Sequence, residues 1–180
     1  MYRPNEPGRF PAVAICHGYP GDNKNTDLAE ELALSGIVTL IFFYRGAWGS
    51  GGDFSLKGLE PSARDAVEYL MSSPSVDPDK VGVIGYSLGG IPLTARLSLD
   101  SRLKTGVFLS PEADLSLLAT GERLEAVVSR FLKMGEGKLR GLEAERLKPE
   151  LTWVLEHQNP VDLIKEVQVP VFFVVGSEDQ

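Results

Sequence analysis

Five short apolar runs, spread along the chain, constrain its fold more than any other feature of the sequence. Each run is rich in β-branched or aromatic residues and is almost continuously apolar, a pattern typical of parallel strands covered on both faces. The runs occupy residues 12–16, 37–43, 81–86, 105–109 and 169–175. They predict a parallel sheet rather than a set of half-exposed hairpins.

Segments with helical character separate the first four runs. They occupy residues 27–34, which Asn25 or Thr26 can cap, and residues 62–71 and 90–99. This alternation predicts an α/β fold with a doubly wound, mostly parallel sheet, right-handed crossovers and the strand order 2-1-3-4-5. Because 180 residues suit one domain of this kind, we expect a single domain over residues 1–180.

Residues 111–160 interrupt the alternation. They contain charged, Leu-rich stretches at 122–134 and 139–155 and no apolar strand, so they predict inserted helices. An insertion at the carboxyl edge of a sheet is well placed to cover a site there, and we expect a helical lid, although a packing elaboration would give the same pattern. Residues 160–167 then predict a return helix before the last strand.

Charge and composition exclude several classes of function. The net charge of -7, with no block of like charge, disfavours nucleic acid and anionic membranes as partners. Cys16 is the one cysteine, so no internal disulfide can form. Neither a basic-then-apolar leader nor an apolar run of membrane-spanning length is evident, and we therefore expect a cytoplasmic protein.

The pattern Gly-x-Ser-x-Gly occupies residues 85–89. Alone it is weak evidence, but here it ends the third apolar run and opens a helix, which is the setting that a nucleophile elbow requires. Gly85 and Gly89 would leave room where strand and helix approach closely, and Ser87 would present its hydroxyl as a nucleophile. The free N–H groups of the helix start would face developing negative charge.

A second element, residues 17–21, follows the first strand directly. One interpretation of this element is a simple Gly/Pro turn. The other is one side of an oxyanion hole, in which the N–H groups of Tyr19 and Leu88 bind the tetrahedral oxyanion. The predicted strand order makes the two loops neighbours, which favours the second interpretation. We expect His17 and Gly18 to support this loop, with His17 a weak candidate for the catalytic base.

The third element is the acidic pair after the last strand. Asp179 is placed where a triad acid would orient a catalytic histidine, with Glu178 a weaker substitute, although an acidic residue there often only caps a turn.

These three elements, in this order, resemble the α/β-hydrolase family, particularly its prolyl-oligopeptidase-like and dienelactone-hydrolase-like members. Residues 42–50 look like the family's loop beside the site, residues 76–87 like its approach to the elbow, and residues 159–171 like the start of its penultimate core strand. The resemblance implies a serine hydrolase that needs no metal or organic cofactor.

The sequence departs from this family because it has no histidine at the position where the family carries its catalytic base. Family members carry the catalytic histidine in a loop beyond one further strand, and two strands precede the oxyanion loop. The remaining histidine, His157, lies ahead of Asp179, where a surface or lid role is the better interpretation. Three explanations stay open: a fragment of a longer enzyme, which we favour; a histidine supplied by a partner chain; or recruitment of His157. An exposed sheet edge would favour pairing with a second copy, which leaves a homodimer open.

The leading hypothesis is hydrolysis of a carboxylic ester or related acyl bond through an acyl-enzyme on Ser87. A peptidase or aminopeptidase of the same fold is the alternative among enzymes. A non-catalytic binding module that lacks the triad is a second class of hypothesis, and a flavodoxin-like domain is the least favoured. The expected partner is a small-molecule ester, acyl or peptide substrate.

Overall fold

The computed structural model describes residues 1–117 and 122–177, and within these residues the chain forms a parallel sheet of five strands flanked by helices. The strands are in the order β2-β1-β3-β4-β5, and each adjacent pair is parallel. The strands are β1 (Phe10–Cys16), β2 (Val38–Ile41), β3 (Val76–Tyr86), β4 (Gly106–Leu109) and β5 (Val171–Val174). The α-helices are α1 (Thr26–Leu34), α2 (Leu59–Ser72), α3 (Gly90–Leu99), α4 (Glu122–Gly135), α5 (Ala144–Gln158) and α6 (Pro160–Leu163).

The sequence predicted the fold class and strand order, and both are confirmed. The observed strands and helices differ from the predicted ones in where they begin and end. The strand β3 begins five residues earlier than its apolar core because Val76 pairs with Phe10, the first residue of β1. In the insert (residues 111–160), α5 begins at Ala144 rather than at residue 139 because the preceding segment is engaged with another loop. The return helix divides into α6 and a short 3-10 turn.

The sheet is packed on both faces near its centre. Ile15 and Ile84 form one apolar cluster with Ala29 of α1, while the larger cluster on the other side includes residues of α2 and α3. The strand β5 does not meet the expectation of cover on both faces. Phe172 is 63% exposed and Phe173, on the opposite face, is 49% exposed, even though Phe173 stacks on Phe108.

The insert docks on the loop after β2 through main-chain hydrogen bonds. Leu139 forms an isolated antiparallel bridge with Ala47. The N–H of Arg140 donates to the carbonyl of Gly46 at 2.9 Å, and the N–H of Phe54 donates to the carbonyl of Arg140 at 2.8 Å. These contacts fix the connection between α4 and α5 against the body of the fold.

In the part of the chain that the structure describes, no helix combines the length and apolar character needed to cross a bilayer.

Candidate active site

Ser87 lies on a sharp bend at the carboxyl end of β3. Its φ of 51° is in the left-handed region, which non-glycine residues adopt rarely and which marks a strained turn. A 3-10 turn over Ser87–Gly89 leads directly into α3. Ser87 is partly exposed, and its hydroxyl makes no hydrogen bond to any residue in 1–117 or 122–177. The bend therefore leaves the Ser87 hydroxyl partly exposed and without a hydrogen-bond partner among these residues.

Two glycines allow this bend because other main-chain atoms occupy the space of a side chain. A Cβ atom built on Gly85 would lie 2.5 Å from the carbonyl oxygen of Gly89. A Cβ atom on Gly89 would lie 2.1 Å from the carbonyl oxygen of Cys16, at the end of β1. Neither position can accept a larger residue without displacement of main chain. The bend and the end of β1 are thus packed against each other.

The loop of residues 17–21 runs beside Ser87. A Cβ atom on Gly18 would lie 3.1 Å from the Cβ atom of Ser87, so the two loops are in close contact, as the pairing of Cys16 with Gly85 in the sheet requires. The main-chain N–H of Tyr19 donates no hydrogen bond within the described residues. Leu88 is in the first turn after the bend, where helical N–H groups lack partners within the helix.

His17 is a buried support for this loop. Its Nδ1 lies 2.7 Å from the carbonyl oxygen of Gly18, and its Nε2 accepts a hydrogen bond from the N–H of Tyr44 at 3.4 Å. Because Nε2 must accept, the proton of the neutral ring is on Nδ1 and donates to Gly18. Burial lowers the pKa of His17, which keeps the ring neutral. Both ring nitrogens are engaged by main chain, so the ring is not placed to accept a proton from Ser87.

His157 lies near the end of α5 and is exposed. Its ring stacks on Trp153 with 4.7 Å between centroids, and its Nδ1 is 2.9 Å from the Trp153 carbonyl oxygen. These contacts hold His157 on the surface of its own helix. Asp179 and the alternative acid, Glu178, lie outside the described residues.

One neighbour of Ser87 was missed from the sequence. The N–H of Glu112 donates to the carbonyl oxygen of Ser87 at 3.2 Å. Its position follows from the predicted strand order, since β4 is adjacent to β3 and the residues after β4 must pass the bend. In the described part of the chain the Glu112 carboxylate has neither a hydrogen bond nor an ion pair. No group of three or more His, Cys, Asp or Glu residues could hold a metal ion within residues 1–117 and 122–177.

Known proteins are similar to this chain in sequence. The chain is 30% identical over 173 residues to an uncharacterized protein of Mycobacterium tuberculosis, Rv2307c, and the match covers 96% of this chain and 53% of the relative. It is 26% identical over 188 residues to the uncharacterized peptidase YtmA of Bacillus subtilis, with 100% of this chain and 67% of the relative covered. The chain thus spans about half to two thirds of the length of these relatives.

A solved structure supports the same fold. The α/β hydrolase GrgF from Penicillium sp. sh18 superposes with a TM-score of 0.70 at 18% identity, over 98% of this chain and 74% of that protein. Residues 1–124, which include both loops of the site, match the family described as X-Pro dipeptidyl-peptidase (S15 family). The chain therefore has the α/β-hydrolase fold and belongs to the S15 family of X-Pro dipeptidyl-peptidases.

Proposed function

We propose that this protein is a serine hydrolase that cleaves a carboxylic ester or a related acyl bond through an acyl-enzyme on Ser87. The observation that carries the proposal is the position of a free hydroxyl on a left-handed bend, directly beside the loop that follows β1. Membership of a hydrolase family supports the reaction class.

The two loops suit the charge that develops in acyl transfer. Ser87 loses its proton to a base as its oxygen attacks the carbonyl carbon, and the carbonyl oxygen becomes an oxyanion. The N–H groups of Tyr19 and Leu88 bind this oxyanion. Collapse of the intermediate breaks the bond to the alcohol, which takes the proton from the base, and the acyl group stays on Ser87. Water then loses a proton to the base as it attacks the acyl-enzyme, and the second collapse releases the acid and returns the proton to Ser87. Fixed donors stabilise the transition state without reorganisation, and loss of one such donor costs about 10²–10³ in kcat in subtilisin.

The base in this proposal is a histidine other than the two in this sequence. The ring nitrogens of His17 are engaged by Gly18 and Tyr44, and His157 is held on Trp153. A histidine from outside residues 1–180 would complete the site, with Asp179 to orient it. Without a base, a triad enzyme loses about a millionfold in turnover, by the subtilisin example.

A peptidase is the second candidate, and the family match favours it specifically. The matching family is described as X-Pro dipeptidyl-peptidase, and a relative is named a peptidase. The same oxyanion donors serve ester and amide bonds, so the two candidates differ in the leaving group alone.

The experiment combines covalent labelling with turnover. The protein, together with the segment or partner chain that carries the proposed histidine, is treated with a fluorophosphonate probe, and hydrolysis of p-nitrophenyl acetate and alanyl-prolyl p-nitroanilide is followed. Ser87→Ala should abolish labelling and turnover, whereas Ser98→Ala, which removes a serine within α3, should retain both. Faster cleavage of the anilide than of the ester would favour the peptidase. If the wild type is neither labelled nor active when that histidine is present, the proposal fails and a non-catalytic binding module replaces it.

A further inference from the structure

A small cavity lies between the bend that carries Ser87 and the helices of the insert. Its volume is about 30 Å³, and seven of its eight lining residues are apolar. Leu88 and Glu112 are among them. Leu88 follows Ser87 in the chain, and the N–H of Glu112 donates to the Ser87 carbonyl. The cavity is therefore bounded by the residue that follows Ser87 and by a residue that hydrogen-bonds to the Ser87 carbonyl, although Ser87 itself does not line it.

We propose that this cavity binds the acyl group of the substrate and that it selects short, uncharged acyl chains of about two or three carbons. This inference rests on the proposed hydrolysis at Ser87. A volume of about 30 Å³ is far below the volume of about 150 Å³ of an engineered apolar cavity that binds benzene. A methyl or ethyl group fits such a space, whereas an octanoyl chain does not.

The walls of the cavity are held by helix packing and do not give way easily. Leu88 is buried on the bend, and Leu151 and Val154 are buried on α5. Phe131 of α4 closes another side and also packs against Tyr19, at 4.3 Å between ring centroids. A longer chain would have to displace buried side chains of two helices, and overpacking of a core typically costs about 1–3 kcal/mol.

The apolar lining of the cavity disfavours a charged acyl group. Glu112 is the one ionisable residue in the lining, and its carboxylate is unpaired within the described residues. A carboxylate on the acyl group, such as that of a succinyl group, would lose its hydration in this mainly apolar space. Anionic acyl groups are therefore rejected.

A larger cavity of about 160 Å³ lies nearby but is less suited to the acyl group. It shares only Glu112 with the smaller cavity and extends towards Thr94 of α3 and Phe173 of β5. Thr94 is seven residues beyond Ser87, about two helical turns along α3. Leu88, whose amide is a proposed oxyanion donor, does not line it.

Turnover of a series of esters tests the selection. We expect kcat/KM to be highest for p-nitrophenyl acetate and propionate, and to fall for the octanoate and for the anionic succinate monoester. Val154→Ala should raise the octanoate-to-acetate ratio by about fourfold for each additional methylene that is accepted. Val154→Leu should instead lower propionate relative to acetate. Val128→Ala is the matched control, since Val128 is a buried valine of the insert that does not line the cavity.

When no ester is turned over, a binding measurement tests whether the cavity accepts short chains. Methyl NMR spectra of the wild type are recorded with 2-butanone and with 2-decanone, neither of which can be hydrolysed. Perturbation of Leu88, Leu151 and Val154 by butanone alone supports the cavity as a site for short uncharged chains, even where every ester is inert. The inference is overturned if the octanoate is the best ester, if decanone perturbs these methyl groups as butanone does, or if butanone perturbs none of them.

Discussion

The hydroxyl of Tyr19 donates a hydrogen bond to the main-chain carbonyl of Phe131 at 2.6 Å. This contact ties the loop after β1 to α4 of the insert. The two residues also pack ring against ring, and a Cβ atom on Gly135, at the end of α4, would lie 2.4 Å from the Tyr19 hydroxyl oxygen. The helix α4 therefore packs closely against Tyr19. Since the Tyr19 N–H is a proposed oxyanion donor, the insert helps to set the position of that donor.

Tyr19→Phe should weaken this connection without removal of the ring. Loss of one hydrogen bond is expected to lower the free energy of unfolding by about 1 kcal/mol. If the loop position matters for the oxyanion, kcat should fall by up to about tenfold with little change in KM, less than the loss of a whole donor would cost. Hydrogen exchange of residues 17–21 should become faster.

The matched control for Tyr19→Phe is Tyr69→Phe, which alters an exposed tyrosine of α2. It should change neither kcat nor the exchange of the loop. Unchanged exchange in Tyr19→Phe would show that α4 does not hold the loop, whereas faster exchange with unchanged kcat would argue against a role for the Tyr19 N–H.

Gly89→Ala should be strongly destabilising because the new Cβ atom would lie 2.1 Å from the carbonyl oxygen of Cys16. The bend and β1 would have to separate, at an expected cost of about 2–3 kcal/mol. Gly51→Ala provides the comparison, since nothing lies within 4 Å of its Cβ position, and its effect should stay within about 0.5 kcal/mol. Urea denaturation measures both. Equal stability of the two variants would contradict the packing described for the bend.

His17 should make stability depend on pH. Burial lowers the pKa of the folded-state imidazole below the usual 6.5, so below that pH the unfolded chain binds a proton that the folded chain does not. The free energy of unfolding should therefore fall as the pH decreases from 7 to 5, with a contribution from His17 of at most about 1.4 kcal/mol per pH unit.

Denaturation curves of His17→Asn at pH 7, 6 and 5 should show a smaller decline than those of the wild type. His157→Asn, which removes an exposed histidine, should keep the wild-type decline. Parallel curves for the wild type and His17→Asn would mean that His17 is not held neutral by burial.

The predictable features of this protein are those with a local or periodic signal. The strand order follows from apolar runs separated by helices, since right-handed crossovers leave few arrangements. The close approach at Gly85 and Gly89 follows from a glycine pattern placed between a strand and a helix. The position of the loop of residues 17–21 beside Ser87 follows in turn from the adjacency of β1 and β3.

The remaining features depend on contacts between residues far apart in the chain. The sequence by itself determined the sheet and the bend, because these rest on spacing and on short-range sterics. Only the tertiary structure decided three contacts. The carbonyl of Phe131 accepts a hydrogen bond from the Tyr19 hydroxyl, Glu112 lines a small apolar cavity, and the His157 ring stacks on Trp153. Such pairings are set by how the insert packs on the sheet, which has no periodic signature in one sequence.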